Sequence, residues 1–107
     1  MKHKKSKATD ISPKVKKSVW ERDDHRCIIC GNPCAMPNSH YIPRSSGGLG
    51  IEENVVTMCG NCHHAFDNGS MRLIYSPEVK AYLQSKYPDW DESKLVYDKF
   101  SWLKGVV

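Results

Sequence analysis

No run of apolar residues here approaches the ~20 needed to cross a bilayer as a helix, and the basic N-terminus lacks the apolar segment of a secretory signal. Hydrophobic residues fill only 39% of the 107 positions. One modest core is all that such a chain can bury, and chains of this size often add a metal or disulfides to it. Even pairing is missing too, because five cysteines leave one over. With no signal in view, the odd count argues against a secreted disulfide framework and for reduced, metal-binding thiols. No internal repeat occurs, and low complexity is confined to the first few residues. These absences predict one soluble, cytoplasmic domain without membrane contact.

The charge that is present lies at one end. Net charge is +4, yet residues 1–20 hold seven lysines against Asp10 alone, so the other 87 residues sum to −2. Residues 1–10 are polar and lysine-rich without periodicity, which predicts a disordered basic tail. Such a tail, with Lys14, Lys16 and Lys17 on the helix after it, can neutralise phosphates with little sequence preference. A solubilising terminus has the same composition.

Ser12-Pro13 reads as a helix start, an N-cap followed by proline at the first helical position. That helix should run to about Arg22, with Ile11, Val15, Val19 and Trp20 turned inward. Gly31 lets the Cys27–Cys30 turn curl so that amides face the sulfurs. Residues 32–37 hold two prolines and predict loop, Ser39–Ile42 a short strand, and 45–50 a flexible glycine-rich stretch. Asn54 then opens a strand through Met58, and a helix over Asn61–Asp67 stops at Asn68-Gly69 in a left-handed cap. Ser76-Pro77 repeats the helix start, with Val79, Tyr82, Leu83 and Tyr87 on one face, and Pro88 closes it. Tyr82, Tyr87 and the tryptophans are read as packing residues. Leu95, Tyr97, Phe100 and Trp102 look like apolar anchors in a segment that periodicity leaves open between helix and strand.

Cys27/Cys30 and Cys59/Cys62 form the pattern C-x2-C-x28-C-x2-C. Thiolates two residues apart reach one tetrahedral ion at roughly 2.3 Å, and two such pairs close a structural zinc site with no open position for substrate. The 28-residue gap exceeds that of a zinc ribbon, so something is built between the pairs. Cys34 is left over, as a spare small residue or an alternate ligand.

What the pairs enclose is Ser39-His40-Tyr41-Ile42-Pro43-Arg44-Ser45, then Gly47-Gly48, then Glu53-Asn54-Val55-Val56-Thr57-Met58-Cys59, with Cys62-His63 behind. Over roughly residues 20–70 this series resembles the HNH endonuclease family, and within it the small HNH proteins of bacteriophages and prophages. The resemblance implies an α+β fold. Its zinc-stapled ββα-metal (His-Me finger) core would lie within a single domain over residues 11–107, with flanking helices and a helical extension from 71.

It also implies roles. Phosphodiester hydrolysis needs an activated water, a charge-stabilising cation and fixed geometry. His40 would be the general base, since neutral imidazole accepts a proton near pH 7. Asn54 would hold the base-bearing segment, its amide offering both donor and acceptor, although it could equally turn the chain before a strand. His63 and Asp67, four apart on one helix face, would grip Mg2+, Mn2+ or another divalent ion; Asp67 could instead be a solvated or capping carboxylate. His64 is read as substrate-facing or surface. Arg44 would touch a flanking phosphate, or be an ordinary surface arginine.

In one place the chain departs from the family. Ser39 stands where the family usually has an Asp or His ligand before the base. Either His63 and Asp67 hold the ion with water and phosphate, or Asn38 contributes, or metal affinity is weak. The expectation is a metal-dependent DNA endonuclease of low sequence specificity, working beside phage terminase and packaging proteins in a bacterial host. The alternatives are a non-catalytic zinc-stabilised DNA-binding module or a packaging accessory.

Overall fold

Ser12 accepts the Val15 amide at 3.2 Å and Pro13 takes the first helical position, so the first long helix starts where the cap and proline put it. The computed structural model describes residues 4–69 and 71–97. In chain order it has α1 (Lys4–Thr9), α2 (Pro13–Arg22), β1 (Ala35–His40), β2 (Val55–Cys59), α3 (Gly60–Asp67) and α4 (Arg72–Lys86). Single 3-10 turns lie at Arg44–Ser46, Glu52–Asn54 and Glu92–Lys94. The result is a small α+β protein around one antiparallel strand pair, β1 with β2. No helix among the described residues is long and apolar enough to cross a membrane.

The core lies where β2, α3 and α4 meet. Val56, Met58, Phe66, Val79 and Leu83 are buried in one cluster with Cys27, Cys59 and Cys62. Val79 and Leu83 are the inward face that helical spacing in α4 predicts, with Tyr82 packed beside them. Every residue of β2 is buried. The Arg72 guanidinium sits 4.0 Å over the Phe66 ring.

Five readings of the sequence need correction. Of the tail expected to be disordered, residues 4–9 are helical and residues 1–3 lie outside the described residues. Thr9 is buried and the Ala8 carbonyl accepts the Gly50 amide at 3.0 Å, so tertiary contacts order a segment whose composition alone would not. β1 begins at Ala35 and includes Pro37, and it ends before Tyr41. Between Met36 and Ser39 the register shifts: three steps on β1 face two on β2, from Met58 to Val56. Proline cannot donate to a ladder, and a bulge at this point spares it the need.

The glycines of the 45–50 stretch, expected to be flexible, are packed against neighbouring chain. Gly48 and Gly50 are buried, the Leu49 amide donates to the Leu95 carbonyl at 2.8 Å, and the Tyr97 amide donates to that of Gly47 at 2.7 Å. A Cβ on Gly48 would lie 1.7 Å from the Ile42 carbonyl oxygen, so glycine here serves close backbone approach. Of the segment left open by periodicity, the described part follows the turn at Glu92–Lys94 with an isolated bridge from Val96 to Gly48. Phe100 and Trp102 lie outside the described residues.

Ser76-Pro77 starts no helix, because α4 begins at Arg72 and runs through Pro77. The proline leaves the Leu73 carbonyl without its helical partner, on a residue that is 90% exposed to water. Arg72, over Phe66 and donating to the Tyr41 carbonyl at 3.1 Å, holds the turn that precedes the proline. Trp20, expected inside, is exposed and stacks on His25 with ring centroids 3.9 Å apart.

A buried ion pair that no motif announces ties α2 to the sheet and α4. Asp23, with no side-chain exposure, accepts from Arg22 Nε at 2.7 Å, from the Thr57 amide at 2.8 Å and from the Tyr82 hydroxyl. Arg22 also donates to the Glu52 and Val55 carbonyls, each at 2.7 Å, and to the Tyr87 hydroxyl at 3.0 Å. Burial works against the Arg22 charge, but Asp23 and then Tyr87 outweigh it and leave its pKa raised. Removing one partner of a buried pair strands the other charge. Asp23→Ala is therefore expected to lower stability by about 3–5 kcal/mol in urea unfolding of the metal-loaded protein. A loss under about 1 kcal/mol, the scale of an exposed pair, would show that the network is dispensable.

Candidate functional site

The two cysteine pairs arrive from different elements. Cys27 and Cys30 lie in the turn after α2, where the Gly31 amide donates to the Cys27 carbonyl at 2.9 Å and Gly31 adopts φ +79°. Cys59 ends β2 and caps α3, accepting the Cys62 amide on its sulfur at 3.5 Å. The Ile28 amide donates to the Thr57 carbonyl at 3.0 Å, which lays the first pair against the strand that delivers the second.

All four sulfurs lie within 4.8 Å of one another, and Cys30 and Cys59 are 3.6 Å apart. Bonds of 2.3 Å in a tetrahedron require sulfur separations of about 3.8 Å, so this set fits a single ion. Burial pushes the Cys27 thiol up, but amides of Cys30, Cys59 and Ile29 bring it down to about 7. Cys62 is pushed up by burial and by the other three sulfurs. The Asn32 amide lowers Cys30, yet Cys59 and Cys27 outweigh it and leave that thiol raised. Four thiols this close cannot all ionise without a cation among them, and they can hold a metal ion. Cys34 is exposed and outside the group.

Beside this cluster, β1 and α3 open onto a cavity of about 820 Å³ lined by His40, His63, Asp67, Asn38, Arg44 and Lys16 among others. His40 is only 9% exposed, and its Nε2 lies 2.8 Å from the Thr9 carbonyl oxygen. A carbonyl only accepts, so Nε2 carries the proton and Nδ1 is the acceptor of the neutral ring. Burial lowers the His40 pKa below its ordinary 6.5, helped by Arg44 and His63, while the Thr9 carbonyl and Asp67 oppose that. His63 Nδ1 is 2.7 Å from the Ser39 hydroxyl, itself 3.0 Å from Asn38 Oδ1.

Asn54 is fully buried and stays out of the cavity lining. Its Oδ1 accepts the Ile42 amide at 2.8 Å, and its Nδ2 donates to the Leu49 carbonyl at 2.8 Å and to that of Ile42 at 3.2 Å. The Asn54 carbonyl accepts the Tyr41 amide at 2.7 Å. It therefore ties both ends of the loop after His40.

The expected residues divide. His40, His63, Asp67, Arg44 and Lys16 share the cavity, whereas Lys14 and Lys17 are exposed on α2 and do not line it. Arg44 forms an ion pair with Asp10. His64 lies on the surface, 2.8 Å through Nδ1 from the Asn68 amide nitrogen. No group of three or more His, Cys, Asp or Glu ligand atoms besides the cysteines gathers among the described residues. Sequence reading missed Thr9, whose contribution is a backbone carbonyl, and such a group leaves no trace in residue type.

These features define a small α+β protein with a four-cysteine cluster that could hold a metal ion, beside a polar cavity. No family model matches the chain, and no solved structure matches it. It is 30% identical over 61 residues to anaredoxin of Nostoc sp. (strain PCC 7120 / SAG 25.82 / UTEX 2576), spanning 56% of this chain and 80% of that protein. The chain belongs to the same family as anaredoxin.

Purified protein is expected to carry one tightly held ion per chain by elemental analysis. Cys62→Ser should lose that ion together with the cooperative thermal transition, because metal binding at such sites is folding free energy. A cooperative transition that survives metal loss would show that the sulfurs do not carry the fold.

Proposed function

We propose that this chain is a metal-dependent DNA endonuclease of the ββα-metal type, its core stapled by zinc on Cys27, Cys30, Cys59 and Cys62. The observation that carries the reading is His40, neutral and held through Nε2, lining the same cavity as His63 and Asp67. His40 ends β1, and His63 and Asp67 lie on α3 after β2, an order that supports this reading.

His40 Nδ1 takes a proton from water while the water oxygen bonds to phosphorus. The bond to the 3′-oxygen breaks, and that oxygen gains a proton from solvent, giving 3′-hydroxyl and 5′-phosphate ends. With His63 Nδ1 engaged by Ser39, its Nε2 and the Asp67 carboxylate would be the donor pair for Mg2+, Mn2+ or a similar ion. When bound, that ion supplies positive charge beside the phosphorus and the departing oxygen. Asn54 keeps the loop from Ile42 to Leu49 in place under His40. Lys16 and Arg44 line the path of flanking phosphates, with Lys14 and Lys17 adding salt-sensitive attraction. Binding beside phage packaging proteins in a bacterial host fits the same resemblance.

The relative's name favours a second reading, a redoxin-like carrier with iron on the four thiolates. Sulfurs within 4.8 Å of one another suit one metal ion better than a two-iron cluster, whose ligand pairs stand farther apart. Visible absorption that bleaches on reduction would identify iron; a colourless protein with one zinc per chain favours the structural reading.

His40→Ala is expected to lower plasmid cleavage in Mg2+, Mn2+ or Ni2+ by about 10²–10⁴-fold, the worth of a positioned base, while zinc content and gel shift persist. Because the His40 pKa is lowered, the acid limb of cleavage should fall below pH 6.5. Wild-type protein that shifts DNA but never cuts it would be a binding module, and one that does neither a packaging accessory.

A further inference from the structure

The segment before α2 reaches the cavity from outside the cysteine-bracketed region and touches it at consecutive residues. The Ala8 carbonyl accepts the Gly50 amide at 3.0 Å. Thr9, only 3% exposed, sets its carbonyl 2.8 Å from His40 Nε2. Asp10 pairs with Arg44, and both Asp10 and Ile11 line the cavity. A Cβ built on Gly50 would lie 2.0 Å from the Asp10 carbonyl oxygen and 2.5 Å from its carbon. Gly50 does not occupy the left-handed region, so its own backbone would accept alanine and only the neighbouring segment forbids it.

We propose that residues 8–11 form a positioning strap that docks on Gly50 and fixes His40 as the Nε2-protonated ring, with Nδ1 presented as the acceptor. A backbone carbonyl suits this task because it accepts and never donates, so the alternative tautomer loses its partner. Without the strap the ring would turn freely and share its proton between both nitrogens. The lysine-rich helix α1 is the direct continuation of the strap, so its docking and the readiness of the base are one event. The consequence for cleavage rests on the nuclease reading; the state of the ring does not.

The test is 1H–15N NMR of the full-length, zinc-loaded chain at a pH where His40 is neutral, with cleavage measured in parallel. Wild type should show a slowly exchanging His40 Nε2 proton and an almost pure Nε2-H pattern. Gly50→Ala, with zinc content and far-UV spectrum unchanged, should lose the protected proton and drift toward a tautomer mixture, and cleavage should drop about tenfold or more. A wild-type His40 without a protected Nε2 proton overturns the proposal whether or not the variant folds. So does a Gly50→Ala protein that keeps the proton, whereas one that loses it and cuts at the wild-type rate upholds the strap and removes His40 from the cleavage step. A protected proton in a wild-type protein that cuts no DNA under any metal supports the strap and sinks the nuclease reading alone.

Discussion

Four cysteine sulfurs lie within 4.8 Å of one another, and as ionised groups they would repel. A cation held between them would turn that repulsion into a cross-link. The tie joins the turn after α2 to the junction of β2 and α3, so the 28 residues between the pairs become a closed loop anchored at both ends. β1 and β2 pair inside this loop, with Ala35 opposite Cys59 at one end and His40 opposite Val55 at the other. His63 follows the last sulfur directly on α3, so the site's two walls are both measured from the cluster. Core burial alone would be a weak anchor here, since the apolar cluster counts cysteines among its members.

Within that closed loop, precision comes from backbone groups more than from side-chain packing. Asn54 spends its whole amide on Ile42 and Leu49, and its carbonyl on Tyr41. Gly48 lets the Ile42 carbonyl approach, and Gly50 does the same for the Asp10 carbonyl. The Arg22–Asp23 pair reaches carbonyls at Glu52 and Val55 and the amide of Thr57, bracketing Asn54 from the other side. A buried amide and a buried ion pair each demand full satisfaction, and meeting that demand leaves the chain one arrangement.

The polar cavity is the feature that a purely structural metal domain does not need. A buried imidazole, a second imidazole and a carboxylate line it, together with Arg44 and Lys16. Kinship with anaredoxin covers most of that protein but little more than half of this chain. On the nuclease reading Ser39 keeps one nitrogen of His63 occupied where the family usually provides a ligand, leaving two protein donors for the ion. Metal and phosphate would then bind together, each completing the other's contacts.

Residue type and spacing determined the features that depend on local chemistry. The cysteine pattern predicted the cluster, Ser12-Pro13 the start of α2, Asn68-Gly69 the end of α3, and the i, i+4 spacing of His63 and Asp67 their shared face. In each case the partners lie within a few residues, or one side chain admits little else. Tertiary structure decided everything that rests on a distant backbone group. Pro37 enters β1 because a bulge across from β2 removes the need for its amide, and α4 passes through Pro77 because Arg72 is held by Phe66 and Tyr41. A glycine-rich stretch packs closely because Gly48 and Gly50 admit other strands of chain, and residues 4–9 are helical where Thr9 reaches His40. Every peptide unit carries the same donor and acceptor whatever its side chain. The alphabet therefore records which local shapes are allowed, and only the folded path determines which carbonyl meets which ring.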